Sequence, residues 1–518
     1  MLNYKGIQML SKIKSYGLVG IEGYKVDVEV DINPGLPGYD VVGLADTAIK
    51  ESKERVKSAI KNCGYNYPIN HIIINMAPAS EKKVGSNYDL SIAIGILTAS
   101  EVLLQKNVSK YIFLGELSLD GKVRKINGIL PMLISAKQNG YTHFVIPKDN
   151  ANESAFIDKI NVYAVDNLRE LVEFLKGDIV VEPVQTRSYA DVITDQKTTA
   201  DFAFVKGQAS AKRALEIAAA GGHNILMIGP PGAGKTMLAK CFPTILPDMT
   251  FDEALEVTKI HSVAGELDQN QGIVINRPFR SPHHTTTVVA LTGGGRNAKP
   301  GQISLAHNGV LFLDELPEYD RKTIETLRQP LEDGVITVAR LQNTVCYPAN
   351  FTLIASMNPC PCGYYGSSKV RCKCSPTAIH KYLSKISGPL MDRIDLHIEV
   401  DAISYDEIRS DHLEESSAEI KKRVNKAREL QLERFKNGKN YSNAKMTEAD
   451  FRKYCKLDDA GTALIETAFH KLNLSARAYT RILKVARTIA DLEGSADIKP
   501  EHIAEAIQYR SLDRKFTV

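Results

Sequence analysis

With 518 residues, the chain is too long for one hydrophobic core and is expected to divide into about three domains. Its 43% hydrophobic and 24% charged residues are ordinary for a soluble globular protein, and a formal net charge of +4 over this length does not establish a nucleic-acid partner. No apolar run approaches the roughly 18–20 residues that span a bilayer, and Lys5, Lys12 and Lys14 are not joined to the continuous apolar stretch of a signal peptide. The expectation is a cytoplasmic protein without a membrane partner, whose eight cysteines are reduced thiols or metal ligands rather than structural disulfides.

Taken in order, residues 1–176 alternate strand-like and helix-like segments. Alternation predicts a strand over Tyr24–Ile32, and 3.6-residue periodicity predicts a helix over Thr47–Asn62 that stops before Gly64. His71–Met76 is a short β-branched run and Asp89–Leu104 a largely apolar helix. Strand Tyr111–Leu114, helix Ile129–Gln138 and strand His143–Ile146 follow. This is a mixed α/β domain whose composition says nothing of its task. Residues 177–200, with Pro183, scattered Thr and Ser and no helical periodicity, read as a linker.

Residues 201–402 carry the chemistry. Gly229-Pro230-Pro231-Gly232-Ala233-Gly234-Lys235-Thr236 fits the P-loop pattern at every position. It follows the apolar strand Asn224–Ile228, and Met237-Leu238-Ala239-Lys240 after it can open a helix, so the nucleotide-binding set runs from Gly229 to Met237. The glycines let backbone N–H groups surround phosphate oxygens. Lys235 is expected to reach the β and γ phosphates of ATP, and the Thr236 hydroxyl to sit on Mg²⁺. An ordinary glycine-rich turn is the bland alternative, and the complete match disfavours it.

Asn308–Leu313 is an apolar strand that delivers two acids, Asp314 to the Mg²⁺ shell and Glu315 to the attacking water. That pair marks hydrolysis rather than binding alone. Gly334–Tyr347 can form a β-hairpin around Arg340-Leu341-Gln342-Asn343, and strand Phe351–Ser356 leads into Met357-Asn358-Pro359. Adjacent His283 and His284 invite a metal reading, but no carboxylate pattern accompanies them. A loop with Arg280 and the Gly293-Gly294-Gly295-Arg296 turn facing a phosphate backbone, and a plain surface loop, both stay open. Cys360, Cys362, Cys372 and Cys374 place half of the cysteines within fifteen positions. That density suits a tetrahedral Zn²⁺ site, although ligands one residue apart are tighter than the usual spacing and free thiols are the alternative. Lys369, Arg371 and Lys373 lie among them.

Residues 403–518 read as helical, with segments at Ala418–Phe435, Thr462–Leu472, Ala476–Leu492 and Pro500–Tyr509 forming an all-helical lid. The basic face of the first, with Lys421 and Arg423, reads as solvated rather than as a nucleic-acid contact.

Three resemblances add to this reading. Met76–Gly85 and Gly115–Val123 resemble the proteolytic domain of Lon-type proteases, which implies a ribosomal-S5-like α+β fold for residues 1–176. The position of the nucleophile falls on Asn87, next to Ser86, and that of the general-base lysine on Leu130, which cannot accept a proton. The resemblance therefore implies a proteolytically inactive docking or assembly domain.

Asn358 is placed like the sensor asparagine of AAA+ ATPases, and Ser387–Asp395 resembles the arginine-finger segment of the magnesium-chelatase branch. Arg393 would then be the finger that enters a neighbouring subunit's site. Arg477 resembles the second sensor reading the γ-phosphate from the lid, with Arg481 and Arg487 as rivals. Arg277–Thr285, Pro300–His307 and Leu327–Gly334 are similar to the ComM/YifB group of magnesium-chelatase-like ATPases, over nearly the whole chain. Membership implies an ATP- and Mg²⁺-dependent ring motor, taken as a homo-hexamer, that drives DNA branch migration on single-stranded or branched DNA in natural transformation. A chelatase-like remodelling ATPase is the alternative. A Lon-like protease is disfavoured by Leu130.

Overall fold

The computed structural model describes residues 10–193, 200–268, 270–295, 298–339, 344–367, 370–402, 409, 413–436, 442–472 and 474–510. They fall into two compact units. The first gathers the described residues between Met1 and Asp195 with those of Phe251–Ile275 and Arg296–Lys299. The second gathers those of Gln196–Thr250, Asn276–Gly295 and Pro300–Val518.

The first unit is built on a seven-stranded mixed sheet. Strands β1 (Leu10–Val19) and β2 (Glu22–Asn33) pair as an antiparallel hairpin. With β3 (Gly38–Val42), β4 (His71–Ala77), β5 (Tyr111–Phe113), β6 (His143–Pro147) and β7 (Asn161–Val165) they stand in the order β3-β4-β2-β1-β5-β6-β7. Val26, Val28, Val30 and Ile32 of β2 are buried in alternation, the period a pleated strand imposes. The helix Thr47–Asn62 begins where predicted because the Asp46 side chain accepts the Ile49 N–H at 3.0 Å, and it buries Ile49, Val56, Ala59 and Ile60 on one face. The apolar helix predicted over Asp89–Leu104 ends earlier, at Ala99, beyond which Glu101 takes a positive φ of 60°. Burial pushes the Asp89 carboxyl up to about 6 even though Arg55 pairs with it at 2.7 Å.

The helix Phe251–Ala264 follows the P-loop in sequence yet packs within the first unit. The Ser262 carbonyl accepts the Gly128 N–H at 3.0 Å, and its hydroxyl donates to the buried Glu153, which also accepts the Leu130 N–H at 3.1 Å. Inside the stretch read as linker, Tyr189–Ile193 forms one short helix with no buried residue.

The second unit has a five-stranded parallel sheet. Strands β8 (Ile225–Ile228), β9 (Phe279–Arg280), β10 (Val310–Leu313), β13 (Thr352–Met357) and β14 (Leu396–Glu399) stand in the order β9-β10-β13-β8-β14, while β11 (Val335–Val338) and β12 (Val345–Pro348) form the predicted hairpin apart from it. The turn at 340–343 lies outside the described residues, as do Lys5, Arg296 and Lys369. Strands β8, β10 and β13 are buried throughout, which explains their unbroken apolar runs. Because β13 lies between β8 and β10, three loops that are far apart in sequence leave the sheet side by side. The fold class read from the sequence, a P-loop AAA+ core with a mixed α/β N-terminal part and a helical C-terminal part, is the one observed.

The C-terminal helices Ser417–Arg434, Asp459–Leu472, Ala476–Glu493 and Pro500–Gln508 share one hydrophobic cluster with β8 and β14. On the first of them Lys421 pairs with Asp248 at 2.6 Å and Arg423 with Glu216 at 2.5 Å, so these two side chains, expected to be solvated, instead bind acids of the core. The polar tie is Asp395. Its carboxylate accepts the Asn224 N–H at 3.0 Å, lies 3.4 Å from His223 Nδ1 and pairs with Arg481 of the helix Ala476–Glu493. Desolvation opposes its charge, yet Arg481, His223 and the Asn224 N–H hold it well below the usual carboxylate range. A depressed carboxylate contributes stability that is present above its unfolded value of about 3.9 and is lost as pH falls toward the folded one. Asp395→Asn is expected to destabilise this unit by about 3 kcal/mol at neutral pH. The gap from the parent protein in urea melts should narrow as pH drops below about 4; a gap that stays constant would remove Asp395 as the cause.

Candidate ATPase site

The P-loop closes on its own lysine. Gly232 and Gly234 take φ of +78° and +87°, which an L side chain rarely adopts, and the turn they allow leads straight into the helix Lys235–Cys241. The Lys235 ammonium donates to the carbonyls of Gly229 (2.7 Å) and Pro230 (2.9 Å) and to Asn358 Oδ1 (3.2 Å). Burial lowers its pKa against the pull of Asp314 and Glu315. Phosphate oxygens entering the loop offer the ammonium the opposing charge that burial denies it.

The metal-side groups are already together. Thr236 Oγ1 donates to Asp314 Oδ2 at 2.8 Å, joining the two residues expected to hold Mg²⁺. Asp314 Oδ1 accepts from the Ser356 hydroxyl and, at 3.1 Å, from the Glu315 N–H, and Ser356 Oγ accepts the same N–H at 3.2 Å. Glu315 sits at φ 52°, a left-handed conformation that costs an ordinary residue about 1–2 kcal/mol. That backbone turn leaves the Glu315 side chain exposed beside the half-buried Asp314. Strained backbone of this kind concentrates at working sites. Ser356, the last buried hydroxyl of an apolar strand, went unrecognised in the sequence because one serine in such a run carries no motif.

Other candidates lie elsewhere. Arg393 is only 9% exposed, with its guanidinium on the carbonyls of Arg328 (3.1 Å) and Pro389 (2.7 Å) and on the Glu332 carboxylate. Arg477 is exposed and lines a cavity of about 350 Å³ together with Glu332, Arg393, Asp395, Arg481 and Lys484. No P-loop residue lines that cavity. Arg487, one of the rivals, is buried against Asp491 and the carbonyls of Ser495 and Ala496, a structural position. Met237, the last residue of the nucleotide set, is 44% exposed. The His283 and His284 rings lie 4.0 Å apart and tilted by 35°, with His283 Nδ1 on the Thr285 hydroxyl, and no cluster of metal-type ligands among the described residues includes them. Arg277 clamps the loop before β9 by donating to the carbonyls of Pro247 (2.5 Å) and Asn308 (2.7 Å).

The four clustered cysteines do converge. Cys360 lies 3.4 Å from Cys362 and 3.7 Å from Cys372 by their sulfurs, Cys362 lies 3.6 Å from Cys372, and all four sulfurs including Cys374 are within 4.8 Å of one another. In the first unit Leu130 is buried, and the Ser86 hydroxyl donates to Glu116.

A P-loop, a hydrogen-bonded Thr–Asp pair and an exposed glutamate beside them mark a P-loop ATPase of the AAA+ class. Three family descriptions match: "Magnesium chelatase, subunit ChlI" over residues 201–408, "Subunit ChlI of Mg-chelatase" over 28–150, and "Magnesium chelatase, subunit ChlI C-terminal" over 414–510. The chain is 43% identical to the competence protein ComM of Haemophilus influenzae across 98% of both chains. It is equally similar, at 43% over 98% of both, to the uncharacterized protein YifB of Escherichia coli. A magnesium-chelatase 67 kDa subunit of Chlorobaculum parvum is 27% identical over 30% of this chain and 23% of its own. The chain belongs to the ComM/YifB family of magnesium-chelatase-like AAA+ ATPases.

Lys235→Ala is expected to abolish tight ATP binding, whereas Glu315→Gln should bind ATP as the parent does and fail to hydrolyse it. Binding of a fluorescent ATP analogue and release of phosphate separate the two. Normal turnover by the Glu315→Gln protein would take Glu315 out of the mechanism.

Proposed function

We propose that this protein is an ATP-driven motor, working as a hexameric ring in the cytoplasm, that moves branched or single-stranded DNA in the branch-migration reaction its family resemblance implies. ATP occupies Gly229–Met237, with Lys235 on the phosphates. Thr236 and Asp314 would hold Mg²⁺, which when bound would neutralise phosphate charge. Glu315 takes the proton of the attacking water and Asn358 orients that water. The observation that carries the reading is the end-to-end match, 43% over 98% of both chains, to a protein named for competence. Among the described residues no helix is long and apolar enough to cross a membrane. The chelatase-type family descriptions over three segments favour a second reading, a remodelling ATPase acting on a protein or metal-cofactor complex. Turnover measured with and without single-stranded and four-way-junction DNA tests the choice. DNA is expected to raise the rate, and a rate indifferent to both DNAs would favour remodelling.

The arginines support a ring. Arg393, Arg477, Arg481 and Lys484 place four cations against the two carboxylates Glu332 and Asp395 in one cavity, a net attraction for phosphate. Since its lining omits the P-loop, we assign this cavity to a neighbouring chain's nucleotide, with Arg393 leaving Glu332 to act as the finger and Arg477 as the second sensor. For the N-terminal unit we propose docking or assembly without proteolysis, in keeping with Leu130.

Arg393→Ala should bind ATP nearly as the parent does and hydrolyse it roughly 10³-fold more slowly. Mixed with Lys235→Ala, which offers an intact finger, it should recover turnover at shared interfaces. Mixed rings as inactive as either parent would exclude a trans role for Arg393.

A further inference from the structure

We propose that Cys360, Cys362, Cys372 and Cys374 hold one zinc ion, and that this ion fixes the loop on which the sensor and the P-loop both rest. The sulfur geometry argues for the metal first. Four thiolates about 2.3 Å from a tetrahedral zinc stand about 3.8 Å apart. The three measured separations, 3.4, 3.6 and 3.7 Å, already approach that figure, and all four sulfurs lie within a 4.8 Å span.

The loop has little else to hold it. From Cys360 to Cys374 the described residues form neither helix nor strand, and only Cys360 and Gly363 among them are buried. Tyr365 is 47% exposed and Val370 44%, so the described residues of the loop form no apolar cluster to draw its two ends together. A small fold without a core needs a cross-link, and converging cysteines provide one through a metal. The N–H of Cys374 donates to the Cys372 sulfur at 3.4 Å, a bond suited to a thiolate. Zinc with four thiolates carries a charge of about −2, which the exposed Arg371 and Lys373 offset.

The loop's position supplies the consequence. Cys360 follows Asn358 by two residues, and Asn358 is the partner of Lys235 at 3.2 Å. The Cys360 carbonyl accepts the Gly363 N–H at 2.9 Å, forming a turn whose Gly363 has φ +84°. A Cβ on Gly363 would fall 2.5 Å from the Pro231 ring, so this turn lies directly against the P-loop. Two of the four ligands, Cys360 and Cys362, thus sit between the sensor asparagine and the contact with Pro231. The ion is structural, but what it holds in place is the phosphate cradle. The coupling, unlike the metal itself, rests on the nucleotide reading above.

Elemental analysis of the full chain purified without added metal should give one zinc per chain. Cys372→Ser should bring that close to zero and, with the far-UV spectrum unchanged, weaken binding of a fluorescent ATP analogue about tenfold, the loss of one well-placed charged hydrogen bond. The chain has no tryptophan, so the analogue is read without an indole background. Cys346→Ser, an exposed cysteine of the hairpin, is the control and should change neither quantity. In case the variant misfolds, the parent protein stripped with a chelator and reloaded with Co²⁺ should show the intense thiolate-to-metal absorption of a tetrahedral sulfur site and regain its affinity. Zinc near zero in the parent, with all four thiols alkylated at once or recovered as disulfides, overturns the site. Zinc bound but nucleotide affinity unaltered by its loss overturns the coupling and leaves the metal. Zinc bound with no nucleotide binding in any preparation overturns the ATPase reading instead.

Discussion

The 2.8 Å hydrogen bond from Thr236 to Asp314 joins the helix that follows β8 and the P-loop to the end of β10, a strand two places away from β8 in the sheet. It exists only because β13 is inserted between β8 and β10 and because all three are buried and parallel. Ser356, on the inserted strand, fills the space between them by donating to Asp314 and accepting from the Glu315 N–H. Glu315 is thereby held in a backbone conformation it would not choose alone. Hydrophobic burial of the sheet is what stabilises that cluster of polar groups. Little reorganisation is then left for the moment of reaction, which is where preorganised charge contributes most.

One chain brings the candidate phosphate-site residues together but leaves the two candidate arginines apart from them. Lys235, Thr236, Asp314, Glu315 and Asn358 come together, whereas Arg393 and Arg477 meet in a cavity with no P-loop residue. Arg393 is meanwhile occupied by Glu332 and two carbonyls. An arginine held this way is fixed in place by its own chain. A separate chain that brings a triphosphate would compete with Glu332 for it, and the greater charge of the phosphate would win. On the proposed reading, such a division would make hydrolysis conditional on assembly.

Much of this was legible in the sequence, for identifiable reasons. The P-loop, Asp314, Glu315 and Asn358 are each tied to the end of a short apolar run, and such runs are visible because buried parallel strands tolerate little else. The helix Thr47–Asn62 declared itself through a single apolar face and a stop before Gly64, while its Asp46 cap is seen only in the structure. The helix Asp89–Ala99 is buried on all sides, so periodicity could not fix its end. What stayed hidden depends on distant partners. Nothing local says that Phe251–Ala264 packs in the first unit, that Arg277 clamps two carbonyls, or that Arg393 is covered by Glu332. The cysteine cluster could be counted from the sequence, but only the fold brings its sulfurs together.

If catalysis needs two chains, turnover must depend on chain concentration, and that dependence can be measured. At saturating ATP and Mg²⁺, turnover per chain should be near zero where sedimentation shows monomers and rise steeply as rings form. Full turnover per chain at concentrations where the protein is monomeric would contradict it.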